Sequence, residues 1–140
     1  MQKPISLVLV VVLLIAMTVP VFAAALDDTT VSPRYTYIQT YAAGISIDEN
    51  TGVSSCRAYC YAASGYTVEV ECKLQRSIGT SWSTVKTWTK TGNGYANINQ
   101  DWAVSSGYTY RVYATYRIRN ASGTLLESET ASRTYVYPKQ

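Results

Sequence analysis

Cys56, Cys60 and Cys72 carry the most reactive side chains of this 140-residue chain, and no histidine accompanies them. A thiolate nucleophile needs a neighbouring base or a depressed pKa. Without histidine, Ser-His-Asp and Cys-His systems, histidine-ligated zinc and histidine pH switches are excluded. In an exported chain two of the thiols are expected to pair and one to stay over. Residues 56 and 72 lie equally far from Ser64. If Ala63-Ser64-Gly65 closes a three-residue hairpin, Cys56 lies opposite Cys72 and Arg57 opposite Glu71. Closing that loop of about 16 residues would contribute roughly 3 kcal/mol. Cys60–Cys72, with Cys56 free, is the alternative pairing. Cys56 and Cys60 cannot join, because i and i+4 on one strand are about 13 Å apart. Cys60 is thus the expected free thiol. Burial and the missing base make it a small core residue, against an intermolecular bond or a nucleophile.

The acidic residues suggest little catalysis. Asp48-Glu49-Asn50-Thr51-Gly52 begins like a calcium loop, but its fifth and twelfth positions fall on Gly52 and Tyr59, which supply no such ligands. It reads as a turn between strands. Glu69 and Glu71 alternate onto one solvated face, as do Glu127 and Glu129. A glycosidase needs two carboxyls across a cleft, one held in apolar surroundings. These glutamates instead read as members of cross-strand ion pairs with Arg57 or Arg111. No enzyme, metal or cofactor is implied. Tyr59, Tyr61 and Tyr113, with Arg111, Arg117 and Arg119, form the candidate binding face, being the types enriched at interfaces. Tyrosine is also an ordinary strand former, so the same positions fit a plain exposed β surface. Asn120-Ala121-Ser122 matches a glycosylation acceptor, yet its turn chemistry accounts for it.

The elements that must position these residues are all extended. Hydrophobic residues make up 47% of the chain, charged residues only 15%, and tyrosine occurs 13 times, which excludes disorder and a long coiled coil. No helical stripe interrupts the β-branched and aromatic residues. In 67–75, Val68, Val70, Cys72 and Leu74 share one face. In 108–119, Tyr108, Tyr110, Val112, Ala114, Tyr116 and Ile118 do the same, which means one face on a core and one in water. Further strands are expected at 35–47, 53–62, 82–90, 95–102 and 125–137, separated by Gly- and Asn-rich turns. Trp82, Val85 and Trp88 are spaced by three, which requires a bulge or places Trp82 in a loop. Parity also sets Ser54, Cys56, Ala58, Cys60 and Ala62 on one small-residue face, with room for large rings from a facing sheet. Seven strands at this spacing predict an antiparallel immunoglobulin-type sandwich.

Residues 1–25 read as a signal peptide: Lys3, an apolar run from Ile5 to Met17, Pro20, and cleavage after Ala23 or Ala25. A retained membrane anchor is the competing reading of the apolar stretch. Residues 26–34 form a solvated lead-in and 35–137 the folded domain. Once Lys3 is removed the net charge is small and positive, too weak to imply nucleic acid. The tail Tyr135-Val136-Tyr137-Pro138-Lys139-Gln140 offers no anchor, so no membrane contact is expected after cleavage.

Val104-x-x-Gly107-x-x-Tyr110-x-Val112-x-Ala114 resembles the start of strand F in fibronectin type III domains. The resemblance implies a tyrosine corner, with Val104 as apolar plug, Gly107 at the turn, and the Tyr110 hydroxyl bonded to upstream backbone. It also implies that the strands bearing Cys56 and Cys72 can lie in opposing sheets at similar depth, which favours the same Cys56–Cys72 bond. The immunoglobulin disulfide is absent, since 108–119 has no cysteine. More loosely, Ile45-Ser46-Ile47, Leu74-Gln75, 81–88 and the Tyr110 segment resemble small secreted proteins of Gram-positive bacteria, a family without an established activity.

The expected function is therefore a secreted, non-catalytic β-sandwich, binding or structural at the cell envelope or in the extracellular milieu. Its expected partner is an extracellular protein or glycan. An antagonistic protein of bacteriocin or toxin type and a carbohydrate-binding module are the alternatives.

Overall fold

The computed structural model describes residues 35–140. The expected signal peptide and lead-in lie outside the described residues. Seven strands follow in order: β1 (Ile38–Asp48), β2 (Val53–Ala62), β3 (Thr67–Ile78), β4 (Ser81–Asn93), β5 (Tyr95–Ala103), β6 (Tyr108–Arg119) and β7 (Leu125–Tyr137). They form two antiparallel sheets, β1-β2-β5 and β4-β3-β6-β7. The architecture is an all-β sandwich compatible with an immunoglobulin or fibronectin III fold.

Alternation decides which side chains enter the core. Val68, Val70, Cys72 and Leu74 from β3 and Val112, Ala114, Tyr116 and Ile118 from β6 are completely buried, as are Cys56, Ala58 and Cys60 of β2. The small inner face of β2 leaves space that large rings fill. Tyr116 is wholly buried and lies 4.9 Å, ring to ring, from Tyr41 of β1. On β4 the register slips between Leu74 and Gln75, whose partners are Lys86 and Thr84. Val85 is therefore the extra residue of a bulge, and Trp82 stays inside the strand on the face opposite Trp88.

Of the two arrangements the sequence leaves open for 53–62 and 67–75, the structure adopts opposing sheets. β2 and β3 do not form a hairpin: β2 lies between β1 and β5, and β3 between β4 and β6. Arg57 sits between Gly44 and Asn99, whereas Glu71 sits between Thr89 and Thr115 on the other sheet. The physical reason is burial. A hairpin would place the apolar faces of β2 and β3 side by side, still uncovered, whereas a crossover packs one against the other.

The crossover is tied to a second one. The Ala62 N–H donates to the Gly94 carbonyl at 2.8 Å, and the Gly94 N–H donates to the Tyr66 carbonyl at 2.8 Å. The β2–β3 and β4–β5 connections thus hold each other where the chain changes layers. Gly92 permits the tight β4–β5 connection, because any β-carbon there would collide with the Tyr95 carbonyl oxygen.

Candidate functional site

The three cysteines all point into the interior and are all free thiols. The Cys56–Cys72 bond expected from the sequence is not formed, nor is the Cys60–Cys72 alternative. β2 and β3 lie in different sheets, the second arrangement that favoured Cys56–Cys72, and there too both sulfurs stand as separate buried thiols. Burial pushes the Cys56 and Cys60 thiols up to about 11 and the Cys72 thiol to about 12. At neutral pH they are protonated and non-nucleophilic.

The turn sequences are occupied with local bonding. In the β1–β2 turn the Asp48 carboxylate accepts the Asn50 N–H at 2.9 Å, and the Asp48 carbonyl accepts the Gly52 N–H at 2.7 Å. Asn120 likewise accepts the Ser122 and Thr124 N–H groups through its side-chain oxygen, at 3.1 and 3.0 Å. At the β5–β6 connection the Tyr110 hydroxyl donates to the Ser105 carbonyl at 2.8 Å and accepts the Ser105 N–H at 3.2 Å. Val104 packs on the core beside it, and Gly107, at a φ of 86°, turns the chain into β6.

The candidate binding face divides in two. Tyr59 and Tyr61 project from the outer side of β1-β2-β5, while Arg111, Tyr113, Arg117 and Arg119 project from the outer side of β4-β3-β6-β7. The cationic groups on the second face are already engaged. Arg111 stacks on Trp82 and Tyr113, 4.3 and 5.0 Å from the ring centres, and its Nε donates to Gln75 at 2.8 Å. Arg117 pairs with Glu69 at 2.7 Å and stands 3.9 Å from Glu71. Arg119 donates to the Gly123 carbonyl at 3.3 Å. Neither Arg57 nor Arg111 pairs with these glutamates: Arg117 takes that place at Glu69 and Glu71, whereas Glu127 and Glu129, expected on a solvated face, stand opposite the inward-facing Ile118 and Tyr116.

The β1-β2-β5 face is differently built. Register places Thr40, Tyr61 and Tyr95 in one row, Ala42, Tyr59 and Asn97 in the next, and Gly44, Arg57 and Asn99 in a third. Tyr61 stacks on Tyr95 with ring centres 4.3 Å apart, and Tyr59 meets Tyr61 edge-on at 6.0 Å. All three rings remain 37–43% exposed, enough to offer contact area to a partner. Beside them the small side of β1 leaves a depression of about 490 Å³, lined by Ala42, Gly44, Arg57, Tyr59, Asn97 and Asn99. A recess of about 180 Å³ adjoins it along Gly44, Ser46, Ser55 and Arg57. Nothing within 4 Å would meet a β-carbon at Gly44, so the depression exists because β1 is small there.

From the sequence only a strand at 95–102 is expected, without Tyr95, Asn97 and Asn99 singled out, although alternation along that strand is the signal that sets them on one face. Their place beside Tyr59 and Arg57 was not legible, because it depends on β5 pairing with β2 across a long chain separation. Compared with models of known protein families and with curated proteins, the chain matches none.

Proposed function

We propose that the protein is a secreted, non-catalytic binding module, acting at the cell envelope or in the extracellular milieu through the outer face of β1-β2-β5. The apolar leader with its small-residue cleavage pattern supports export, and the absence of histidine supports a role without nucleophilic catalysis. The observation that carries the binding role is the depression of about 490 Å³ bordered by Tyr59 and Arg57. Concave sites with a few convergent polar groups are where proteins take ligands. The opposite sheet is a weaker candidate, since its arginines are held by Trp82, Gln75 and Glu69.

Capture from native cell-wall and culture material tests the assignment. Gly44→Trp fills the depression from an open strand position without displacing the core, and should abolish capture. Tyr113→Ala, on the other face, should leave it intact. Equal capture by both variants would remove the proposed face from consideration.

A further inference from the structure

The chemistry of the depression narrows its ligand, given the reading that this face is the binding surface. Its floor is Ala42 and Gly44, too small and too flat to make the apolar centre that a protein interface needs. Its walls are a tyrosine ring, two side-chain amides and one guanidinium. An aromatic ring with adjacent amide donors and acceptors suits a ligand that has both a carbon-hydrogen face and hydroxyls. A sugar ring has both. Arg57 adds the discriminating feature. Among the described residues it makes no ion pair and no side-chain hydrogen bond, unlike Arg111, Arg117 and Arg119. The carboxylate of Asp101, one register row away, accepts the Ser55 hydroxyl on Oδ1 at 2.7 Å and makes no ion pair with Arg57. A ligand that covers Arg57 must compensate its charge or leave a costly unpaired cation.

We propose that this depression binds an acidic glycan, with a sugar carboxylate on Arg57, ring hydroxyls on Asn97 and Asn99, and a sugar face against Tyr59. Arg57 lines both the main depression and the adjoining recess, so the carboxylate-bearing unit sits where the two meet. Tyr59 and Arg57 project from β2 two residues apart, about 7 Å along the strand. One bound chain therefore reaches both, running along the seam between β1 and β2.

The test is calorimetric titration of the purified protein with a panel of hexasaccharides. The acidic members contain galacturonate, glucuronate or sialic acid, and each is matched to a neutral counterpart. At least one acidic member should bind about tenfold or more tighter than its neutral match, as a charge-assisted hydrogen bond requires. Arg57→Gln should erase that preference, and Gly44→Trp should abolish binding of both. Absence of binding to every acidic member, equal affinity for the neutral match, or a preference that survives Arg57→Gln would each overturn the proposal. Capture from envelope material that is still lost in Gly44→Trp would then show that the face binds a different ligand. Capture insensitive to Gly44→Trp would instead overturn the face itself.

Discussion

The Tyr116 hydroxyl of β6 donates to the Ala42 carbonyl of β1 at 2.6 Å, a bond that crosses the sandwich. The ring fills the space left by the small inner side chains of β2, and its polar tip finds an acceptor on an edge strand. Packing and hydrogen bonding can be separated here by substitution. Tyr116→Phe keeps the ring and should cost about 1 kcal/mol. Tyr116→Ala leaves a cavity and should cost about 3–5 kcal/mol. Urea unfolding midpoints measure both, and a Phe variant as stable as the parent would deny the bond any net contribution.

A second cross-sandwich tie is made by Glu127. Its carboxylate accepts the N–H groups of Thr36, Tyr37 and Ile38 at 3.1, 3.0 and 2.8 Å, fastening the start of β1 to β7. Glu127→Ala should lower stability by about 1.5–3 kcal/mol, as expected for hydrogen bonds to a charged group. Amide exchange should accelerate selectively at those three N–H groups. Unchanged exchange there would show that the strand is held by its neighbours alone.

Thiol chemistry gives a direct count. Cys56, Cys60 and Cys72 are free and shielded, so the native protein should react with no thiol reagent at neutral pH. In denaturant all three cysteines should titrate. A single reactive thiol after unfolding would mean that two are bonded to each other.

Stability should fall in alkali, and the sign follows from proton binding. Burial raises the three thiols from 9.0 to about 11–12 in the folded chain, so between those values the unfolded chain has released protons that the folded chain retains. Tyr41 acts in the same direction, pushed to about 12 by its hydrogen bond with Tyr35 and by burial. The contribution is fully present below the ordinary thiol pKa and is lost as pH rises through the folded values. Unfolding midpoints measured from pH 8 upward should therefore decline, and less steeply in Cys72→Ala. A flat profile would count against thiols that ionise only with difficulty.

Much of the fold is written in local pattern. The alternation in 67–75 and 108–119 determined which side chains turn inward, because successive residues of an extended chain point to opposite sides whatever the partner strand. The small side of β2, the seven strands and the irregularity around Val85 rest on the same local rule. Residues 63–66 carry no comparable instruction. A connection of that length can return as a hairpin or cross between layers, and only the packing of Ala58 and Cys60 against β3 and β6 selects the second. From that choice follow the separation of Arg57 from Glu71 and the division of the tyrosines between two faces. The depression around Gly44 and Arg57 needs β1, β2 and β5 side by side. β1 and β2 are joined by the short 49–52 turn, but β5 is distant in sequence and reaches β2 only through burial of their shared apolar face, a decision that belongs to the tertiary structure alone.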